Sequence, residues 1–286
     1  MVVLIGCIIV CASVVGGLHL GGGSVLVLMH LSEFVAVVGI CAGVLVIASP
    51  ISVLKAVMAK TITAFKGGPV PKGGHMEAMK MMYHLFMLAR KEGMMVLEEH
   101  LMEPENSEIL KQSPTFLKNE QAVMFVVDAL QPLVDGRLKP DQLRPVLSTQ
   151  LATMKEEAQK PVGILHLVGD SFPGIGICAA VLGIILTMGS IAQGPEVVGY
   201  KVAAALTGTF LGVFGAYGFV NPLAVLIEAN NEAEQRYFNM IAEGLGSYAV
   251  GLSPQLAVEF ARRTLLSSER PSSAELESEL KTIKIG

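Results

Sequence analysis

The sequence predicts an all-α, polytopic membrane protein with four transmembrane helices and a helical cytoplasmic domain. Three observations predict this class: 52% of the 286 residues are hydrophobic, 16% are charged, and the mean hydropathy is +0.56. Soluble domains carry roughly 25% charged residues, so this chain is too apolar for a typical soluble protein of its length. The net charge of −4 gives no sign of a nucleic-acid partner.

Four apolar windows approach or exceed the roughly 20 residues that a helix needs to cross a bilayer. They are Val2–Leu20, Phe34–Pro50, Ser171–Ile191 and Val202–Ile227, and none contains Asp, Glu, Lys or Arg. The second window is only just long enough, and Glu33 lies at its outer end. The alternative is a soluble protein with buried helices, and the length of all four windows argues against it.

The distribution of lysine and arginine predicts the orientation. Fourteen of the 21 lie between the second and third windows, six lie in the tail that follows the fourth window, and one lies near 194–201. Because cytoplasmic loops are enriched in positive charge, the long segment, the tail and both termini are assigned to the cytoplasm. The predicted divisions are 1–50 (transmembrane helices 1 and 2), 51–168 (cytoplasmic helical domain), 169–228 (transmembrane helices 3 and 4) and 229–286 (cytoplasmic helical tail).

The cytoplasmic segment shows no sustained strand alternation and indicates several helices. His75–His100 is predicted to be one helix, with Gly93 as a weak point in its continuity. Arg90 and Glu98 are then separated by about 80° of rotation and about 12 Å of rise, at two ends of one exposed face. From composition alone, such charges are usually solvated. Eight methionines between residues 76 and 102 favour adaptable core packing, with a contact surface as the alternative.

The third and fourth windows are rich in small residues and poor in polar ones. Ala179 and Gly183, like Gly208 and Gly212, have the small-xxx-small spacing that lets helix backbones approach closely. The polar residues are Asp170, Ser171, Thr187, Ser190, Thr207, Thr209, Tyr217 and Asn221. No acid or base lies in the middle of a window, so a proton relay here needs a titrating group from another chain. Asp170 is then an accessory acid near the cytoplasmic mouth.

Two prolines and two threonines are the remaining candidate site residues. Pro173 is placed in the first turn of its window, where proline costs little, whereas Pro222 is expected to kink or loosen its helix. Thr207 and Thr209 have two open interpretations: they line a polar path, or they bond their own backbone four residues back. The chain shows no zinc-ligand spacing, phosphate loop or catalytic motif, so no enzyme activity, metal or cofactor is predicted.

Four long motifs, in order along essentially the whole chain, resemble the MotA flagellar stator family of the MotA/TolQ/ExbB superfamily. They are "ARKEGMMVLEEHLMEPENSEI" (Ala89–Ile109), "LVGDSFPGIGICAAVLG" (Leu167–Gly183), "LTGTFLGVFGAYGFVNPLA" (Leu206–Ala224) and "AVEFARRTLLSSERPSSAELE" (Ala257–Glu277). The resemblance implies a multi-pass protein of the bacterial inner membrane, forming a homopentamer around a MotB dimer. It also implies that a MotB aspartate carries the ion and that the cytoplasmic domain drives the rotor protein FliG.

The resemblance also implies roles for residues at matching positions. Asp170, Thr209 and Ala180 are expected to lie in the ion path. Pro173 and Pro222 are expected to couple ion passage to movement. Arg90 and Glu98 are expected to contact FliG. Tyr217 has an open role, in the ion path or in packing. Sodium-driven relatives tend to place a threonine where this chain has Ala180, and losing that oxygen removes a ligand for a hard cation, so protons are expected. Several relatives carry an acid where this chain has Gln150.

Three other functions compete with a proton-driven stator. An ExbB- or TolQ-like energising subunit would have three spans, which the four windows and the Arg90 and Glu98 motif argue against. The second is a stator of the same kind that is driven by sodium ions instead of protons. A membrane scaffold without an ion path would leave Asp170 and Thr209 tolerant of substitution.

Overall fold

The computed structural model describes residues 2–25, 30–71 and 73–283. Within these residues every regular element is helical, and the predicted all-α class is confirmed. The chain forms two compact units. The first comprises Met1–Gly68 and Glu157–Asn230, and the second comprises Pro69–Glu156 and Asn231–Gly286.

The helices are numbered in chain order. They are α1 (Val2–Leu20), α2 (Leu31–Ile47), α3 (Ile51–Lys66), α4 (Gly74–Glu92), α5 (Leu97–Met102), α6 (Glu108–Lys111), α7 (Pro114–Leu117), α8 (Glu120–Val134), α9 (Pro140–Met188), α10 (Pro195–Gly215), α11 (Asn221–Ala249), α12 (Pro254–Arg263) and α13 (Ser273–Leu280). Short 3-10 turns occur at Met94–Val96 and Ile191–Gln193, and a π-helical segment, Ala216–Val220, joins α10 to α11.

Three of the described helices are long and apolar enough to cross a membrane. They are α1, α9 and the continuous stretch Pro195–Ala249, while α2 is apolar but has 17 residues. None of the residues of α1 is buried by the rest of the described chain. Because so apolar a helix is not stable in water on its own, α1 needs lipid or another protein around it.

The helix predicted for His75–His100 is interrupted, so that prediction is wrong. Helix α4 ends at Gly93, whose φ of 92° and ψ of 164° lie outside the helical region and whose N–H closes the last turn on the Ala89 carbonyl. A glycine takes such a positive φ without a steric penalty and therefore ends the helix. Arg90 consequently lies in the last turn of α4, and Glu98 lies in the first turn of α5.

Pro173 is not in a first turn, contrary to the prediction. Helix α9 begins at Pro140 and continues without a break through Pro173 to Met188. The start of an apolar window marks a change in polarity, and backbone hydrogen bonding can continue across it. Since proline lacks an N–H, the Gly169 carbonyl four residues back has no helical donor at Pro173.

The core of the second unit is built from methionines and aromatic rings. Met79 and Met82 are fully buried, and Phe86 stacks on Tyr248 with ring centroids 4.2 Å apart and planes inclined by 5°. Core packing is thus confirmed for these methionines. Met95 and Met102 are 67% and 70% exposed, so the contact-surface interpretation stays open for them.

An ion-pair cluster closes the last turn of α12. Arg262 donates two hydrogen bonds of 2.7 Å to the Glu259 carboxylate, and Arg263 adds one of 2.9 Å. These hydrogen bonds, led by those of Arg262, hold the pKa of Glu259 at about 2, below its ordinary value of 4.5. Because this pKa is lowered by folding, the cluster stabilises the protein above pH 4.5, and the stabilisation is lost as the pH falls towards 2.

Replacing Glu259 by glutamine is therefore expected to destabilise the protein at neutral pH. With allowance for the part of the side chain that meets water, the loss is about 1–2 kcal/mol. Thermal unfolding of the purified full chain in detergent, at pH 7 and at pH 3, measures it. Glu277→Gln is the control, because its partner Lys281 is 74% exposed. Equal losses for Glu259→Gln at both pH values would contradict the assignment.

Candidate functional site

Glycines bring α9 and α10 into backbone contact. A methyl group added at Gly176 would lie 2.8 Å from the Gly208 carbonyl oxygen and 2.9 Å from Gly212 Cα. One added at Gly212 would lie 2.7 Å from the Phe172 carbonyl oxygen. Side chains of any size are excluded at these positions. The close packing predicted from the small-residue spacing is confirmed, and its partners are these two helices of the same chain.

Ala180 and Thr209 lie at nearly the same level of this helix pair. Ala180 is 9% exposed, and a methyl group at Gly208 would be 3.3 Å from its backbone nitrogen. Thr209 follows Gly208 and is half-buried. The Thr207 hydroxyl donates to the Ala203 carbonyl at 3.0 Å, which confirms the backbone-bonding interpretation for that residue. Thr209 makes no such bond within the described chain, so its hydroxyl remains available for other contacts.

Asp170 lies at the other end of the span, beside a buried amide. The Asn221 side chain fills the space left by Gly169, since a methyl group there would be 2.8 Å from Asn221 Cγ. Asn221 Oδ1 is buried and accepts no hydrogen bond from the described residues. The neighbouring Asp170 is exposed. Asp170 therefore adjoins in sequence a glycine on which the side chain of Asn221 packs.

The predicted ion-path residues are not gathered into one pocket. Ala180 follows Asp170 by ten residues on one helix, which places them about 15 Å apart along its axis. Tyr217 lies in the π-helical segment, eight residues beyond Thr209, and is 66% exposed. The structure therefore places Asp170 at one level of this helix pair and Ala180 and Thr209 together at another, and it leaves Tyr217 on the surface.

The π-helical segment ends directly before Asn221 and Pro222. Proline at position 222 offers no N–H to the Gly218 carbonyl, so the α-helical ladder has no donor there. The ladder widens into the π-helix Ala216–Val220, and the predicted loosening of the helix at Pro222 is confirmed. The Phe172 ring packs on Gly215, where a methyl group would be 2.7 Å from its Cε1. Phe172, which precedes Pro173, thus contacts Gly215, which precedes the π-helical segment.

Arg90 lies at the edge of a cavity in the second unit. The cavity has a volume of about 480 Å³, and its wall includes Arg90, Met94 and Tyr248. Burial raises the pKa of Tyr248, and the positive charge of Arg90 partly offsets this. Arg90 itself is exposed and Glu98 is half-buried, so both are open to contact from outside the chain.

Sequence reasoning missed Glu33. Its side chain is buried, with 6% of the residue exposed, although the polarity of the sequence placed it at a window's end. A signal was present: Glu33, Val37 and Cys41 recur every four residues, and all three are buried on one face of α2. An acid in register with the buried face of an apolar helix indicates an interior carboxyl.

Two regions of the chain match known family models. Residues 117–240 match the model of the MotA/TolQ/ExbB proton channel family, and residues 4–93 match that of the Motility protein A N-terminal region. The chain is 32% identical to Motility protein A of Escherichia coli K12 and 31% identical to that of Salmonella typhimurium, each over 99% of this chain and 96% of the relative. The chain therefore belongs to the Motility protein A (MotA) family.

Solved structures share the fold. The C. jejuni MotAB structure matches with a TM-score of 0.78 and 24% identity, over 95% of this chain and 98% of that one. The flagellar MotAB stator complex of Bacillus subtilis matches with a TM-score of 0.75 and 22% identity, over 94% and 98%. Membership of the family makes this chain a stator subunit of the flagellar motor and places it in a channel and motor family, not an enzyme family.

Proposed function

We propose that this chain forms a homopentamer around a MotB dimer, conducts protons together with it, and turns the rotor protein FliG. One observation carries the proposal. Between the levels of Asp170 and Gly183, α9 and the facing part of α10 contain no charged residue, although they carry hydroxyl groups and Asp170 lies at one end of the stretch. An ion crossing here needs a carrier from a second chain. The solved relatives from C. jejuni and B. subtilis are complexes of MotA with MotB, which supports MotB as that chain.

Protons are the proposed ion because of the chemistry at Ala180. A buried methyl group stands there, beside the level of Thr209, and offers no oxygen to a metal cation. A sodium ion losing its hydration shell needs several oxygen ligands, whereas a proton needs one carboxylate at a time. Proton transfer between carboxylates, as proposed here, involves no bound cofactor.

Four spans with both termini in the cytoplasm form the proposed topology in the inner membrane. The 17 residues of α2 cover about 26 Å, slightly less than a typical hydrocarbon core of about 30 Å. Polar residues at the ends of a short helix and local thinning of the bilayer accommodate such a mismatch. The lysine and arginine distribution sets the orientation.

The second unit is the proposed rotor-facing part, through Arg90 and Glu98. We expect Arg90→Glu to reduce swimming about twofold or more, because a rim charge steers contact and sets its register. Glu98→Lys is expected to act in the same direction. Opposite charge changes on FliG should restore swimming. Lys118→Glu, a charge reversal at another exposed basic residue, is the control; an equal loss from it would contradict the assignment.

At the inner end, Asp170→Asn is expected to lower motor speed about two- to tenfold while leaving assembly intact, because an acid near the exit helps a proton leave the path. Rotation of beads attached to filament stubs gives the speed, and co-purification with MotB gives the assembly. Glu157→Gln, an exposed acid on the same helix, is the matched control. Full speed of the Asp170→Asn motor would show that this carboxylate has no part in conduction.

The stator assignment itself is tested by complementation. The chain is expressed in a strain without stators, alone and together with a MotB from the same organism. Swimming only with both proteins is expected. Failure to swim when both proteins reach the membrane would contradict the proposed function.

A further inference from the structure

The Glu33 carboxylate sits between two helix backbones. A methyl group at Gly208 of α10 would lie 2.9 Å from Glu33 Oε2, and one at Gly183 of α9 would lie 3.5 Å from Oε1. Each oxygen thus faces a glycine on a different helix. Within the described chain, the carboxylate takes part in no hydrogen bond or ion pair. The carboxylate fits between the two helices because Gly183 and Gly208 lack a side chain.

Among the described residues, no cation forms an ion pair with this carboxylate. The facing helices present the backbone of Gly183 and Gly208 to it. The titratable groups nearest along α2 and α10 are His30, whose ring stacks edge-on against Tyr200 at 5.1 Å, and Lys201, whose ammonium group bonds Ser190. An unpaired acid in an apolar helix bundle is costly, and a residue kept at that cost indicates an ion path or a specific partner.

Glu33 and Asp170 lie at opposite ends of the same span. Gly183, which marks the level of Glu33, follows Asp170 by 13 residues of α9, or about 20 Å along the axis. Gly183 also lies five residues before the end of α9 at Met188. In the proposed topology, Glu33 is at the outer end and Asp170 at the inner end. The uncharged stretch between them is where the partner chain's carboxylate would operate.

We propose that Glu33 is the outer proton-loading group of the stator. The inference deepens the proposed function and rests on it. A proton from outside water bonds to a Glu33 carboxylate oxygen, and that O–H bond then breaks as the proton passes to the partner chain's carboxylate. Glu33 returns to its ionised form, so each cycle moves one proton inward without any other change. Asp170 assists the proton's departure at the inner end.

The alternative role for Glu33 is packing alone. A carboxyl that only fills the space between Gly183 and Gly208 is replaceable by glutamine, which has nearly the same shape. A loading group is not, because an amide does not take up and release protons in this pH range. Aspartate keeps the titrating group one methylene shorter. The glutamine and aspartate variants therefore separate the two roles.

The experiment measures motor speed at low load, where each step waits for an ion, across external pH values from about 6 to about 8. Glu33→Gln, Glu33→Asp and wild type are each expressed with MotB. We expect Glu33→Gln to lower the speed about fivefold or more at every pH, and Glu33→Asp to retain more speed with an altered pH profile. Glu196→Gln, an exposed acid at the start of α10, should match wild type. Membrane level and MotB co-purification should be unchanged in all of them.

Two results overturn the assignment. Wild-type speed in Glu33→Gln at all pH values would leave Glu33 a packing residue, and so would equal slowing by glutamine and aspartate with an unchanged pH profile. Failure of the proposed function looks different. In that case the wild-type motor itself does not turn, or it turns on sodium, and the loading role falls with the proton assignment.

Discussion

Replacing Gly176 by alanine is expected to lower motility about tenfold or more, because the added methyl group has no space. It would meet the Gly208 carbonyl oxygen at 2.8 Å and Gly212 Cα at 2.9 Å, and both are backbone atoms that cannot rotate away. Helices α9 and α10 would have to separate. Ala180, Thr209 and Glu33 would then no longer be aligned with one another across the helices.

The matched control lies on the same helix. Apart from the backbone of its own helix, no atom lies within 4 Å of a methyl group added at Gly174, so Gly174→Ala should swim at close to wild-type speed. Both variants add the same atoms to α9, two residues apart. Swimming rate, membrane level and MotB co-purification separate a damaged path from an absent protein. Equal behaviour of the two variants would contradict the close helix contact.

Pro222→Ala is expected to leave assembly intact and to lower torque about tenfold or more. Alanine supplies the N–H that the Gly218 carbonyl lacks, so the π-helix Ala216–Val220 can return to α-helical hydrogen bonding. The joint between α10 and α11 then stiffens, and ion passage no longer bends it. Torque from bead rotation at high load is the measurement.

Pro195→Ala is the control for removing a proline. Pro195 is the first residue of α10, where the missing N–H has no helical acceptor to serve, so its replacement should change little. Normal torque in Pro222→Ala would show that the loosened segment is a static feature. A loss of torque explained by missing protein in the membrane would likewise count against the coupling role.

The sequence predicted the helical class because apolar length and charge spacing report directly on lipid exposure. The predicted helix boundaries were wrong where the polarity of the side chains and the hydrogen bonding of the backbone change at different residues. Helix α9 passes through the polarity change before Pro173, because each N–H bonds a carbonyl four residues away whatever the side chains are. At Gly93 the reverse holds: the side-chain pattern continues, and a positive φ ends the helix.

The candidate site was predicted unevenly for a related reason. Asp170, Thr209 and the prolines stand out as polar or rigid residues in an apolar stretch. Glu33 was passed over because a hydropathy window stops at the first charge, whereas burial follows the helical face that Glu33 shares with Val37 and Cys41. The pairing of Gly169 with Asn221 is a contact between residues 52 positions apart, and no local pattern predicts it. The roles taken from the family resemblance remain predictions.

Swimming driven by this chain and its MotB partner, in a strain without other stators, tests the central claim most directly. The speed is measured while sodium is varied at constant pH, with and without a protonophore. A proton-driven stator predicts a speed that is independent of sodium and falls to zero with the protonophore. A speed that rises with sodium and survives the protonophore would contradict the proton assignment and the interpretation of Ala180.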